Sequence, residues 1–485
     1  MIPKIVKRFF LPILLLVEVM IPACKKSFID VSDPTRIVSS DYYNDSTSIA
    51  AGVIAAYSSL QDIYGKAGSG RGIWPFAEVA SDNSTSVADG VGAGDFENFG
   101  ITSANPILQS TWTAIFKCVA RCNLVLSRAP AVTMNATVKN RYLAEMKFLR
   151  ALAYFNAVRI WGDMPLVTKE IQTVQDAYTY GRAPQDSVYQ QVIRDLMDAE
   201  GILPTSYPTA DLGRATQEAA KGLLAKVYIT QQKYDLAAAK LQEFIGLFDN
   251  KPCKLLSPYS SIFLTTNEMN AEIIFAVRYT KGGYGTGSPF CNYFAPNSSL
   301  TGGIGNAGQY NTITPDLDTA FIANDTTRDT RYAASVGYYL GVKEYYTKKY
   351  TDIPASDGDA DNDWIVLRYA DVLLLYAEAL NEQGNTLPAL PYINRVRERA
   401  GLADLPATET QDSLRLAIEN ERRFELNMEG HRWFDLVRTG RAITVMNAYF
   451  TKYKSAVRID QHNLLFPVPI SEINTNPILT QNQGF

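Results

Sequence analysis

Glu421, Glu425 and Glu429 recur at four-residue intervals, with Arg422, Arg423, Arg432 and Arg438 interleaved and Asp435 close by. On one helix that spacing puts three carboxylates on a single face, close enough to act as a glycosidase pair, which needs roughly 5–10 Å between its members. The arginines argue against that use. Guanidinium forks neutralise carboxylates and hold them ionised, which suits ion pairs that lock helices together and not a general acid. Nucleophilic catalysis has less to draw on, because the histidines are His431 and His462 and neither lies in a Gly-rich nucleophile turn. His431 falls inside the charge cluster, where a structural hydrogen bond suits it. No catalytic residue is assigned, and glycoside hydrolysis stands as the enzymatic alternative.

A second acidic set, Asp357, Asp359 and Asp361, takes alternate positions in a short loop, as the first ligands of a calcium loop do. That pattern next requires Gly at position six and Glu at twelve, where this chain has Asn362 and Arg368. A solvated acidic turn fits better; a structural calcium is the alternative, and no other cofactor is expected. Binding is better served by aromatic residues. Sugar rings have apolar C–H faces that stack on flat side chains, while amides and carboxylates take the hydroxyls. Trp112, Trp161 and Trp433 fall in helical segments and read as core. Trp74 falls in a polar loop, with Asp82 and Asn83 behind it to supply hydrogen bonds. The Gly-rich stretch 282–310 carries Tyr284, Phe290, Tyr293, Phe294 and Tyr310, more aromatic surface than a linker needs. These eight residues form the candidate ligand shelf.

The elements that must position them are mostly helices. Residues 139–161 set Tyr142, Phe148, Leu149, Leu152, Phe155 and Val158 at three- and four-residue spacings, and Gly162 and Pro165 end the run. Residues 186–200 form a second amphipathic helix that opens with an Asp suited to capping. Residues 214–247 read as two helices joined by a tight polar turn, a unit of the tetratricopeptide kind, about 34 residues long. A related pair spans Leu367 to Arg399, and a further helix starts near Ser413. The fold class is mainly α, a helix-pair repeat whose units bury their apolar faces against one another. The core is drawn from 107–250 and 365–440. The polar stretches 66–106 and 255–364 form a loop-rich ligand region with a few short strands, among them Ile273–Tyr279.

Composition limits the partners. The 485 residues carry a formal net charge of −4 and no block of Lys or Arg, so a nucleic-acid ligand is not expected. The amino terminus has a basic start (Lys4, Lys7, Arg8), then an apolar run from Phe9 to Val17 that is too short to span a bilayer. Small residues follow and end at Cys24, so residues 1–23 read as a signal segment. Ile21-Pro22-Ala23-Cys24 looks like a bacterial lipobox, which implies cleavage before Cys24 and lipidation of its thiol. An ordinary signal peptide with an incidental cysteine is the alternative, and Glu18 is awkward for both. Cys118 and Cys122 share a helix face and read as small buried hydrophobes.

Taken in order, the motifs resemble the SusD/RagB family of outer-membrane lipoproteins from Bacteroidota. The resemblance is carried by FIDVSDP (Phe28–Pro34), EVASDN (Glu78–Asn83), the block Phe148–Val167, Gly213–Ile229, Leu367–Glu382, Ile393–Leu402, Glu421–Gly440 and the tail Phe466–Phe485. It covers nearly all of residues 24–485. It implies a non-enzymatic, lipid-anchored protein built on four tetratricopeptide-like pairs, with a loop-rich ligand surface. It also implies a SusC-like TonB-dependent transporter as partner and capture of a glycan, or in some members a peptide, at the cell surface. A protein-interaction scaffold is the remaining alternative. Family lipoproteins often carry acidic residues directly after the cysteine, whereas this chain has Lys25 and Lys26.

Overall fold

The computed structural model describes residues 42–485 except 69, 88–91, 249–253 and 454–455. The signal segment, Cys24, Lys25, Lys26, the FIDVSDP motif and Cys253 lie outside the described residues.

Eight long helices form four pairs: α1 (Ser46–Tyr64) on α2 (Pro106–Arg128), α3 (Ala136–Trp161) on α4 (Gln185–Glu200), α5 (Gln217–Thr230) on α6 (Tyr234–Phe248), and α7 (Tyr369–Glu382) on α8 (Thr386–Arg399). Each pair also packs on the next, through α2 with α3, α4 with α5 and α6 with α7, so one apolar core runs the length of the array. The expected four-pair, mainly helical fold is the one observed. Local chemistry sets the helix ends. Asp45 and Ser48 close a capping box on α1, Asn105 caps α2 before Pro106, and Thr216 caps α5. The expected Asp186 cap is not made, because α4 begins one residue earlier after Pro184. Small residues bring the helices close: Ala144, Ala151, Ala153 and Ala157 of α3 are buried. A Cβ on Gly222 of α5 would lie 2.4 Å from the Leu367 side chain.

Three features differ from the sequence reading. The first pair includes α1, which the pattern missed because residues 65–105 separate it from its partner. Leu367 and Arg368 do not start a helix; they end a strand, Trp364–Arg368, that pairs antiparallel with Ile273–Val277. Finally, Glu421, Glu425 and Glu429 do not share one helix. The helix α9 (Gln411–Glu425) stops, Met428 and Gly430 take left-handed backbone, and α10 (Arg432–Arg438) follows.

Those three carboxylates nevertheless meet in one buried ion lattice. Arg368 donates to Glu429 through Nε (2.8 Å), to Glu272 through Nη1 (2.8 Å), to Glu425, and to the Glu425 carbonyl (2.7 Å). Arg399 bridges Glu272 and Glu425; Arg331 bridges Asp329, Glu421 and Glu425; Lys349 Nζ reaches Glu429 at 2.7 Å. Burial alone would raise the Glu425 carboxyl, but Arg399, Arg368 and Arg331 outweigh it and hold it well below the usual range. Breaking a buried pair from one side leaves an uncompensated charge. Replacing Arg368 by Met is therefore expected to cost about 3–5 kcal/mol in urea unfolding. A loss below about 1 kcal/mol would mean that the lattice does not hold these segments together.

Candidate ligand-binding surface

The structure divides the eight shelf candidates into two groups. Trp74, Phe290 and Phe294 are core. Trp74 is fully buried with its ring edge-on to Phe294 (5.4 Å between centroids), and Phe290 packs on Trp364 (5.0 Å) and Tyr279 (5.4 Å). The polar loop around Trp74 is buried as well: residues 71–84 are enclosed and include a π-helical turn, Pro75–Val79. Asp82 and Asn83 are anchors rather than ligand groups. The Asp82 carboxylate accepts from Arg432 Nε (2.8 Å) and Nη2 (2.9 Å) and pairs with Arg423 (3.0 Å); Asn83 Oδ1 accepts from Arg423 Nε (2.8 Å). Burial would raise Asp82, but the two arginines hold it well below the usual carboxylate range. A polar loop can be buried when arginines satisfy it, and composition alone gives no sign of that. Trp112, Trp161 and Trp433 are core as expected.

The second group faces solvent or lies half-buried. Tyr284 is 79% exposed, on a turn of glycines. Tyr293 and Tyr310 stand at the neck of a closed loop: Tyr310 N–H donates to the Tyr293 carbonyl (2.9 Å) and Gly308 N–H to that of Asn292 (2.8 Å). The Arg71 guanidinium lies over both rings, 3.8 Å from the Tyr310 centroid and 4.4 Å from that of Tyr293, and the rings meet edge to face at 5.6 Å. Arg71 is the residue that sequence reasoning missed here, since nothing in its own neighbourhood ties it to a loop more than 200 residues away.

The acidic loop fastens this region. Asp359 Oδ2 accepts from Gly282 N–H (3.0 Å) and Gly283 N–H (2.9 Å), Asp361 Oδ1 from Lys281 N–H (2.9 Å), and Asp357 Oδ1 from Asn306 N–H (3.2 Å). These carboxylates bond the backbone of the 281–306 loop without converging on a calcium position; Asp357 stays exposed, as a solvated turn would have it, while Asp359 is buried. Among the described residues no group of three or more His, Cys, Asp or Glu side chains has metal-binding geometry. His431 is buried with Nδ1 3.0 Å from Lys226 Nζ; burial pushes its pKa down to about 3, so it serves as a neutral acceptor. A cleft of about 470 Å³ lies elsewhere, between α2, residues 165–180 and the tail. Its walls are Trp112, Phe116, Val167 and Leu479, and it holds none of the candidate residues.

A model of the SusD family matches residues 341–485, and a SusD-like model described as "Starch-binding associating with outer membrane" matches residues 27–229. The chain belongs to the SusD/RagB family. A SusD-like protein of Formosa agariphila is 28% identical over 515 residues, covering 93% of this chain and 94% of the relative. The starch-binding protein SusD of Bacteroides thetaiotaomicron is 26% identical, covering 76% of each. Among solved structures, a laminarin-binding SusD-like protein superposes with a TM-score of 0.78 at 28% identity, over 91% of this chain and all of that one. The eight motifs read from the sequence thus identify the family correctly.

Glu78, the first residue of the EVASDN motif, ties the buried loop to the turn after α9. Its Oε1 accepts from Gly430 N–H (2.7 Å) and His431 N–H (3.2 Å). Burial pushes its pKa from 4.5 up to about 7. A carboxyl whose folded pKa is raised binds its proton more tightly in the native state, so its contribution to stability declines as pH rises through that window. Wild-type stability measured relative to Glu78→Gln should fall between pH 4.5 and about 7, by up to about 3 kcal/mol. A flat difference would remove the buried, proton-linked role. Trp74→Ala should lower stability by about 3–5 kcal/mol, as removal of a core aromatic does; unchanged unfolding would return Trp74 to the ligand shelf.

Proposed function

We propose that this protein captures a glycan at the outer membrane without making or breaking a bond, and delivers it to a SusC-like TonB-dependent transporter. The observation that carries the reading is the Arg71-clamped pair Tyr293 and Tyr310, two rings held in fixed geometry at the neck of a partly exposed loop. Flat, pre-ordered rings bind sugar C–H faces at low entropic cost. Tyr284 adds a free ring on the adjoining turn. The relatives support the cargo class: one is named for starch and one solved structure for laminarin. The outer-membrane association of the matching SusD-like family and the lipobox-like Cys24 support an anchored, surface-facing protein. A catalytic reading is disfavoured by the state of Glu421, Glu425 and Glu429, each bound to a buried cation and suited to holding segments together.

The test is calorimetric titration of residues 25–485 with laminarin and starch oligosaccharides, with a peptide panel alongside. Glycan binding should be weakened roughly tenfold by Tyr293→Ala or Tyr310→Ala, with the glycan recovered intact. Binding of peptides alone would move the cargo to peptide within the same transport role. Release of shortened glycan would overturn the non-enzymatic reading.

A further inference from the structure

The strands Val336–Tyr339 and Glu344–Thr347 form a hairpin whose tip projects into solvent, with Leu340 80% exposed and Tyr338 47% exposed. Neither tyrosine run of this hairpin entered the sequence-based shelf. We propose that one face of the hairpin is a second sugar subsite, so that the protein prefers chains long enough to reach from the Tyr293–Tyr310 neck to the hairpin. This rests on the glycan-capture reading above.

The register separates the two faces. Tyr338 pairs with Tyr345 and Val336 with Thr347, so these four share one face; Gly337 pairs with Tyr346 and Tyr339 with Glu344 on the other. The first face is anchored. Val336 joins a small apolar cluster with Phe321 and Phe424, and the Tyr345 hydroxyl donates to Asp318 Oδ2 (2.9 Å), whose Oδ1 accepts from Tyr332 (2.7 Å). The second face carries the chemistry a sugar needs. A Cβ added to Gly337 would lie 2.3 Å from the Tyr346 ring, so that ring rests across the glycine backbone as a flat plate. Tyr339 and Glu344 flank it, offering a second ring and a hydroxyl-binding carboxylate. Tyr346, Tyr339 and Glu344 are all half-buried, accessible yet held.

Continuity with the first subsite comes from the loop itself. Its neck holds Tyr293 and Tyr310, and its far end, the turn Ser298–Thr301, meets the hairpin where Ser299 Oγ and Tyr339 Oη lie 3.1 Å apart. One loop therefore borders both sets of rings. A chain laid along it would touch the neck tyrosines first and the hairpin tyrosines last.

Titrating the protein with a short and a long oligosaccharide of one laminarin series tests this. Wild type should bind the long chain roughly tenfold more tightly than the short one. Tyr346→Ala and, separately, Glu344→Gln should remove that advantage while leaving short-chain affinity unchanged, and Glu344→Gln, which keeps the ring packing, should also leave thermal unfolding unchanged. Tyr293→Ala should weaken both chains. Persistence of the long-chain preference in both hairpin variants, or its absence from wild type, would overturn the second subsite while leaving the first intact. Absence of all glycan binding would overturn both.

Discussion

Everything in this molecule hangs on burying guanidinium–carboxylate pairs around α9. Consecutive residues of a helix point about 100° apart, so Glu421, Arg422, Arg423 and Glu425 face different neighbours. Glu421 and Glu425 meet Arg331, Arg397, Arg368 and Arg399. Arg422 meets Asp371 of α7 and Asp435 of α10. Arg423 meets Asp82 and Asp316. Desolvating these groups costs several kcal/mol each and is offset only when every partner is in place. The last turns of α9 can lie buried for that reason alone, and the lattice joins the helical array to the loop-rich region as one unit.

That arrangement separates two tasks. The four helix pairs present alternating small and large apolar residues and need nothing specific of a ligand. The loops contribute a limited set of charged residues inward and leave a different set of aromatic residues outward. Asp82, Glu272, Arg331 and Lys349 belong to the first set; Tyr284, Tyr293, Tyr310 and the hairpin tyrosines belong to the second. Carboxylates neutralised by arginine are ready to bear load and poorly suited to proton transfer.

The helical repeat was legible because Ala and Leu at three- and four-residue spacings admit little else, and the family followed from ordered motifs. The site was only partly legible. Asp82, Asn83 and Trp74 read as loop chemistry because composition reports polarity and not whether an arginine from residue 423 or 432 arrives to satisfy it. Arg71 and Tyr310 are brought together by long-range packing that no local pattern encodes. The hairpin 336–347 could have been found, since Tyr- and Val-rich runs around Leu340-Gly341 carry a strand–turn–strand signal. The extent of α9 was misjudged for a related reason: a four-residue carboxylate spacing continues past its end, while Met428 turns the backbone to positive φ.

The charged anchors of the loops have a consequence for how such a protein can change. Each anchor fixes one point of a segment, and in the stretch 282–315 the chain between anchors carries no charged residue. Between Lys281 and Asp316, residues can be inserted or removed in the exposed turns without unpairing a buried charge, and loop-length changes themselves cost little entropy. A lineage that keeps its pegs can redraw the surface strung between them, acquiring taste for a new polymer while its interior stands still.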